Sequence, residues 1–166
     1  MLNPKKRLKG FTLLELMVTI AILGLLMGIA APSYRNFMDR QKVRSVLNEW
    51  KSAFYFAQSE ALRLKDGVIF CSANSTGKDC SNQSNFSNGW LVLHKEGNKV
   101  NILQDNVLND KNISIELGPS SFDGKLVFFG NGRVDVNAGA SLTIKNNART
   151  SKLSISSGGR LRESSE

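Results

Sequence analysis

The chain has 166 residues, 41% hydrophobic and 22% charged, with a formal net charge of +8. That length bounds it to one folded domain plus an appendage. One histidine and two cysteines offer no Ser/His/Asp or Cys/His arrangement and no four-ligand zinc site. The composition therefore gives no support to an enzyme, a metal protein or a cofactor carrier.

Residues 1–10 carry Lys5, Lys6, Arg7 and Lys9 and no acid. Removing those four from the 22 basic residues leaves 18 against 14 acidic, a net +4. The run from Phe11 to Ala31 follows, 21 residues with a single charge, Glu15. As a helix it would extend roughly 31 Å, enough for a bilayer core. The basic flank would hold the N-terminal side in the cytoplasm and the body on the far side. An ordinary secretory signal is cleaved after its apolar core. Here the small residue, Gly10, precedes the apolar run, so cleavage after it would remove the charges and keep the helix. A carboxylate within such a segment costs about 2.5–3.5 kcal/mol on insertion scales. Glu15 therefore needs a partner, or a position near enough to the interface to stay wet.

Pro32 ends the apolar run and predicts a kink. From Ser33 to Lys65 the pattern becomes amphipathic. Val43, Val46, Leu47, Trp50, Phe54, Ala57, Ala61 and Leu64 recur at spacings of three and four, on one helical face. Asp66-Gly67 stops this helix. Short β-branched or aromatic runs then predict strands at Val68–Ser72, Trp90–Lys95, Val100–Leu103, Ile113–Leu117, Leu126–Phe129, Val134–Val136, Ser141–Lys145 and Leu153–Ser156. Turn signals such as Asn88-Gly89, Asn131-Gly132 and Gly158-Gly159 separate them. Cys71 and Cys80, with eight residues between them, fit a short disulfide loop in an exported protein, with two buried free thiols as the alternative. His94, in a strand, reads as a surface or structural residue.

Lys9-Gly10 followed by Phe11-Thr12-Leu13-Leu14-Glu15 resembles the class III signal of type IV prepilins. The resemblance implies that a prepilin peptidase cuts after Gly10 and that the new amino terminus, Phe11, is methylated. It also implies that Glu15 pairs with the N-terminal amine of a neighbouring subunit during assembly. Ala57-Gln58-Ser59-Glu60-Ala61 before a strand with Cys71, then Cys80, Gly89-Trp90, Leu126 to Gly132 and Gly159-Arg160-Leu161-Arg162 resemble the GspH/FimT branch of pilin-like proteins. The expected fold is α+β and pilin-like, a long N-terminal helix packed on antiparallel sheets in a two-layer β-sandwich. The expected parts are a leader over 1–10, a transmembrane and assembly helix over 11–32, and a globular domain over 33–166. That domain divides into an amphipathic helix, 33–65, and a β-rich part, 67–166.

From Lys125 to Arg162 there are seven basic residues against one acid, Asp135. A basic patch is the footprint of a polyanion ligand, and also of a solvated tail. Arg160 and Arg162 alternate, so an extended backbone projects both to one side. Gly159-Arg160-Leu161-Arg162 is similar to the Gly-Arg-x-Arg motif of FimT-like minor pilins, which bind DNA during natural transformation. The resemblance implies duplex DNA bound through phosphates at Arg160 and Arg162, with Lys152, Arg149, Lys145 and Arg133 in support, in a competent host. Other pilins or pseudopilins and the inner membrane are the further expected partners. The expected place is the inner membrane, crossed once, with the body in the periplasm or carried into a pilus. The competing reading is a type II secretion pseudopilin with a structural role only.

Overall fold

The computed structural model describes residues 10–118, 123–136 and 140–165. Most of the expected leader, residues 1–9, lies outside the described residues. The first element is helix α1, Leu13–Leu64. Thr12 opens it. Its hydroxyl accepts the Glu15 N–H at 3.2 Å, and Glu15 Oε2 accepts the Thr12 N–H at 3.0 Å. This reciprocal capping box satisfies two backbone donors at the helix start. At the other end Lys65 takes a left-handed conformation, φ 53°, which stops the helix before the turn at Asp66 and Gly67.

By packing, the chain divides into Met1–Met38 and Asp39–Glu166. In the first unit the described apolar side chains are exposed, from Phe11 through Leu13, Leu16, Ile20 and Leu23 to Met27. Among the described residues no single helix is long and apolar enough to cross a membrane. The stretches Leu13–Gly28 and Ser33–Leu64, on either side of Pro32, reach that length and composition only as a pair.

The second unit holds the core. The helical stripe Val43, Val46, Leu47, Trp50, Phe54, Ala57 and Ala61 is buried, and Leu64 packs half-buried at its edge. After the helix come β1 (Val68–Ser72), β2 (Trp90–Glu96), β3 (Lys99–Asn106), β4 (Ser114–Gly118), β5 (Lys125–Phe128), β6 (Val134–Asp135), β7 (Ser141–Lys145), β8 (Thr150–Ile155) and β9 (Leu161–Ser165). Eight of these overlap the strands predicted from sequence, and β9 was not among the predictions. The pairings are antiparallel and form two sheets, β3-β2-β1-β5-β6 and β4-β7-β8-β9.

One apolar cluster joins the helix to both sheets. Val68, Phe70, Trp90, Val92, Leu126 and Phe128 come from the first sheet, and Ile115, Leu117, Leu142, Ile144, Leu153 and Ile155 from the second. Trp50 meets Phe70 edge-on at 5.1 Å, and Phe54 meets Phe128 edge-on at 4.9 Å. Such pairs add about 0.5–1.5 kcal/mol beyond area burial. His94 is 8% exposed, and its Nε2 lies 3.0 Å from Asp66 Oδ2. That bond, with the Gly67 N–H, holds the Asp66 carboxyl below its ordinary value. His94 thus ties β2 to the end of the helix.

The outer face of the first sheet carries a small second cluster, Cys71, Ala73, Leu91 and Leu93, and Cys71 is bonded there to Cys80. A crosslink closing so short a loop removes denatured-state entropy. Cys71→Ala with Cys80→Ala should lower the unfolding free energy by about 2–3 kcal/mol in urea titrations; an unchanged midpoint would count against this account.

A second tie joins α1 to β9. Lys51 Nζ donates to Glu163 Oε2 at 2.7 Å, and this bond is the chief cause of a Glu163 carboxyl held below its ordinary 4.5. A depressed carboxyl stabilises the fold above its unfolded-state pKa and loses that contribution as pH falls through the folded value. Glu163 is 39% exposed in its side chain, so screening limits the effect to about 1 kcal/mol at most. Glu163→Gln should be less stable than the parent at pH 7, and the gap should close as pH falls below 4.5 in thermal unfolding.

Candidate nucleic-acid interface

Two hairpin turns share one construction. In the β5–β6 turn, Phe129 N–H donates to Arg133 O at 2.8 Å and Gly132 N–H to Phe129 O at 2.8 Å. In the β8–β9 turn, Ser156 N–H donates to Arg160 O at 3.0 Å and Gly159 N–H to Ser156 O at 2.8 Å. Each is a three-residue loop whose last residue is a left-handed glycine, Gly132 at φ 77° and Gly159 at φ 73°. Each therefore delivers an arginine, Arg133 or Arg160, directly after that glycine. The Ser156 hydroxyl also accepts the Arg160 N–H at 3.1 Å, which fixes the start of β9.

Gly159 is buried, and its requirement for glycine has a second source. A Cβ there would lie 2.1 Å from Gln58 Nε2 and 3.3 Å from Gly132 O. The glycine thus serves the turn and the packing beneath it.

Strand register sorts the basic residues by face. In β8, Ser151, Leu153 and Ile155 point inward, so Thr150, Lys152 and Ser154 point outward. Arg162 lies opposite Ser154, and Ser154 opposite Ser141, in one row across β9, β8 and β7. Ser164, Lys152 and Thr143 form the next row, and Thr150 and Lys145 the one after. Arg162, Lys152 and Lys145 thus share the outer face of the second sheet. Lys145 Nζ stands 3.9 Å from Glu116 on the neighbouring strand, both largely solvated.

Arg160 and Arg162 are exposed, and they line one depression of about 360 Å³ together with Ala140, Ser141, Ser154, Ile155 and Ser156. Within it the Ser154 hydroxyl donates to Arg162 O at 3.4 Å and the Ser156 hydroxyl to Arg160 O at 3.3 Å, which ties the serines to the β9 backbone. Arginine forks are donors suited to phosphate oxygens, and a guanidinium can bind one phosphate through two parallel bonds.

The other two predicted residues are placed differently. Arg149 Nε donates to the buried Ser151 hydroxyl at 3.3 Å, and its charge acts on Glu163, on the side of the sheet that faces the helix. Arg133 is exposed on the first sheet's β5–β6 turn. Sequence reasoning did not single out Gln58 as a site residue, nor Ser141, Ser154, Ser156, Lys51 or Glu163. The serines carry no signal of their own in a Ser-rich chain, and only the register gathers them. At the N-terminus, Phe11 is 88% exposed and Glu15 is held in the capping box with Thr12. Among the described residues there is no group of three or more His, Cys, Asp or Glu side chains that could hold a metal.

Comparison with known proteins agrees with this architecture. Residues 5–31 match the prokaryotic N-terminal methylation motif, and residues 47–159 match the family described as type II transport protein GspH. A fimbrial protein of Pseudomonas aeruginosa is 33% identical over 112 residues, which is 68% of this chain and 67% of that protein. A type IV major fimbrial protein, FimA of Dichelobacter nodosus, is 51% identical over 41 residues, 25% of this chain and 26% of its own. The crystal structure of the type IV minor pilin FimU of Pseudomonas aeruginosa superposes with a TM-score of 0.61 at 17% identity, over 77% of this chain and 92% of that one. The minor pseudopilin EpsH of the Vibrio cholerae type 2 secretion system gives 0.50 at 11% identity, over 76% and 96%. The structural likenesses show the fold, and the family match covers more than half of the chain. The chain belongs to the GspH family of pilin-like proteins, which are structural proteins and not enzymes.

Proposed function

We propose that this chain is a minor type IV pilin that binds duplex DNA through phosphates, without regard to sequence, during natural transformation. The observation that carries the reading is the depression where Arg160 and Arg162 meet Ser141, Ser154 and Ser156, on the face that also bears Lys152 and Lys145. Phosphate contacts of this kind position the nucleic acid and carry no base information. Arg149 is turned toward Glu163 and contributes less than the other four. The N-terminal helix is the inner-membrane anchor and the assembly helix. Its exposed apolar surface needs lipid or other subunits as cover. The basic leader stays cytoplasmic and the body lies in the periplasm or on the pilus. Glu15 pairs with a neighbouring subunit's amine in the filament. The runner-up reading, a type II secretion pseudopilin with a structural role only, is favoured by the family description and by the EpsH likeness.

The deciding measurement is a gel shift of the full-length protein in detergent with unrelated duplexes. The affinity should fall steeply with salt, with a log–log slope of about −0.9 per phosphate bound. Arg160→Gln/Arg162→Gln should weaken binding equally for every sequence and flatten that slope by about 0.9 for each phosphate no longer held. Arg→Lys at both positions should restore only part of the affinity, because lysine lacks the planar fork. Undiminished affinity in a folded double variant transfers the assignment to the pseudopilin reading.

Processing has its own test. A prepilin peptidase removes residues 1–10, so intact-mass measurement of the mature protein should give a chain starting at a methylated Phe11. A mature protein that retains residues 1–10 would overturn this part of the proposal.

A further inference from the structure

We propose that Gln58 is a positioning residue that joins the two Gly-Arg turns and so adds Arg133, from the first sheet, to the phosphate-binding face of the second. The inference rests on the DNA-binding reading and deepens it.

Gln58 lies on the buried side of α1 between Phe54 and Ala61, where its neighbours are apolar or small. Its amide is partly buried and donates to Gly132 O at 2.7 Å. The same amide fills the space above Gly159 that a side chain would need. One side chain from the helix therefore holds both left-handed glycines at once. The backbones themselves meet beside it, because Val134 N–H donates to Ser157 O at 3.0 Å. Those two bonds flank Arg133 on one turn and lead directly into Gly159-Arg160 on the other.

The consequence is a matched pair of arginines. Arg133 and Arg160 each follow a left-handed glycine in the same kind of turn, and the two turns are fastened edge to edge. Both arginines are exposed. Arg133 is a weak anion site by itself, because Asp135 stands two residues further along and is also exposed. Placed next to Arg160 and Arg162, it extends a two-arginine site to three across the seam between the sheets. A duplex backbone spans such a seam, since successive phosphates along one strand need separated cations on a continuous surface. Gln58 touches no ligand and acts only through where it holds the turns.

The test is a double-mutant cycle on duplex binding by the full-length protein in detergent. The four proteins are the parent, Gln58→Met, Arg133→Gln and the combination. Met keeps the volume and removes the donor to Gly132 O. Arg133→Gln should lower affinity about tenfold at 0.1 M salt and reduce the salt slope by about 0.9, the value of one phosphate. Gln58→Met should reproduce much of that drop, and in the Arg133→Gln background its effect should be much smaller than in the parent. Gln58→Asn, which keeps an amide on a shorter stem, decides the point if the Met variant does not fold, with the same coupling expected. A merely structural Gln58 would change the unfolding temperature without moving the salt slope. Effects that add instead of overlapping overturn the inference and leave the DNA reading standing, as does an Arg133→Gln protein with the parent's salt slope. A parent protein that retains no duplex at low salt overturns both.

Discussion

Trp50 is fully buried where one helix meets two sheets, and the rest of the domain is arranged around that contact. The helix stripe supplies the apolar face that covers the inner sides of both sheets. The second sheet is apolar on its inner side alone, as the alternation of buried and exposed residues in β4, β7 and β8 shows, while the first also buries the small cluster around Cys71 on its outer face. Neither sheet could bury its face alone, so helix and sheets form together. Aromatic pairs across the contact then fix the helix azimuth, and with it the direction of every polar residue beside the stripe. Gln58 is the most consequential of these, since a small rotation of α1 would carry its amide away from Gly132.

The proposed binding face depends on β9, which has little apolar content of its own. Leu161 is followed by Arg162, Glu163 and two serines. Such a strand exists because the β8–β9 turn starts it and the ladder with β8 holds it. The Lys51–Glu163 bond then anchors it to the helix. Its polarity also suits an edge position, because charged side chains on an edge discourage pairing with other chains.

Much of this was legible in the sequence. The spacing of apolar residues marked the helix stripe, and β-branched runs marked eight strands, because burial on one face leaves a period in the chain. The capping box, by contrast, is a local signature at Thr12 and Glu15 whose structural side lay behind the assembly role that the resemblance implied for the glutamate. Strand β9 left no period, because its state comes from its neighbour. The faces of the basic residues were hidden for a related reason. Lys145, Arg149 and Lys152 lie within eight residues of one another, and only the folded β7–β8 connection, which turns Arg149 to the Ser151 hydroxyl, separates it from the other two. Gln58 was hidden by distance. It meets Gly132 and Gly159, 74 and 101 positions away, and no local pattern reports such a meeting.

The alternation along β9 also solves an electrostatic problem. Arg160, Arg162 and Glu163 are nearly consecutive, and in a disordered tail the carboxylate would partly cancel the arginines and repel a phosphate. A strand has a period of two, so Arg162 and Glu163 must point to opposite faces. Glu163 is drawn inward to Lys51, with Arg44 and Arg149 contributing field from the same side. Arg162 is left on the outer face with Ser154 beside it and Arg160 at the turn. Folding thus turns a mixed stretch of sequence into a positive outer face and a partly exposed ion pair on the opposite side. The solvated tail would have had neither.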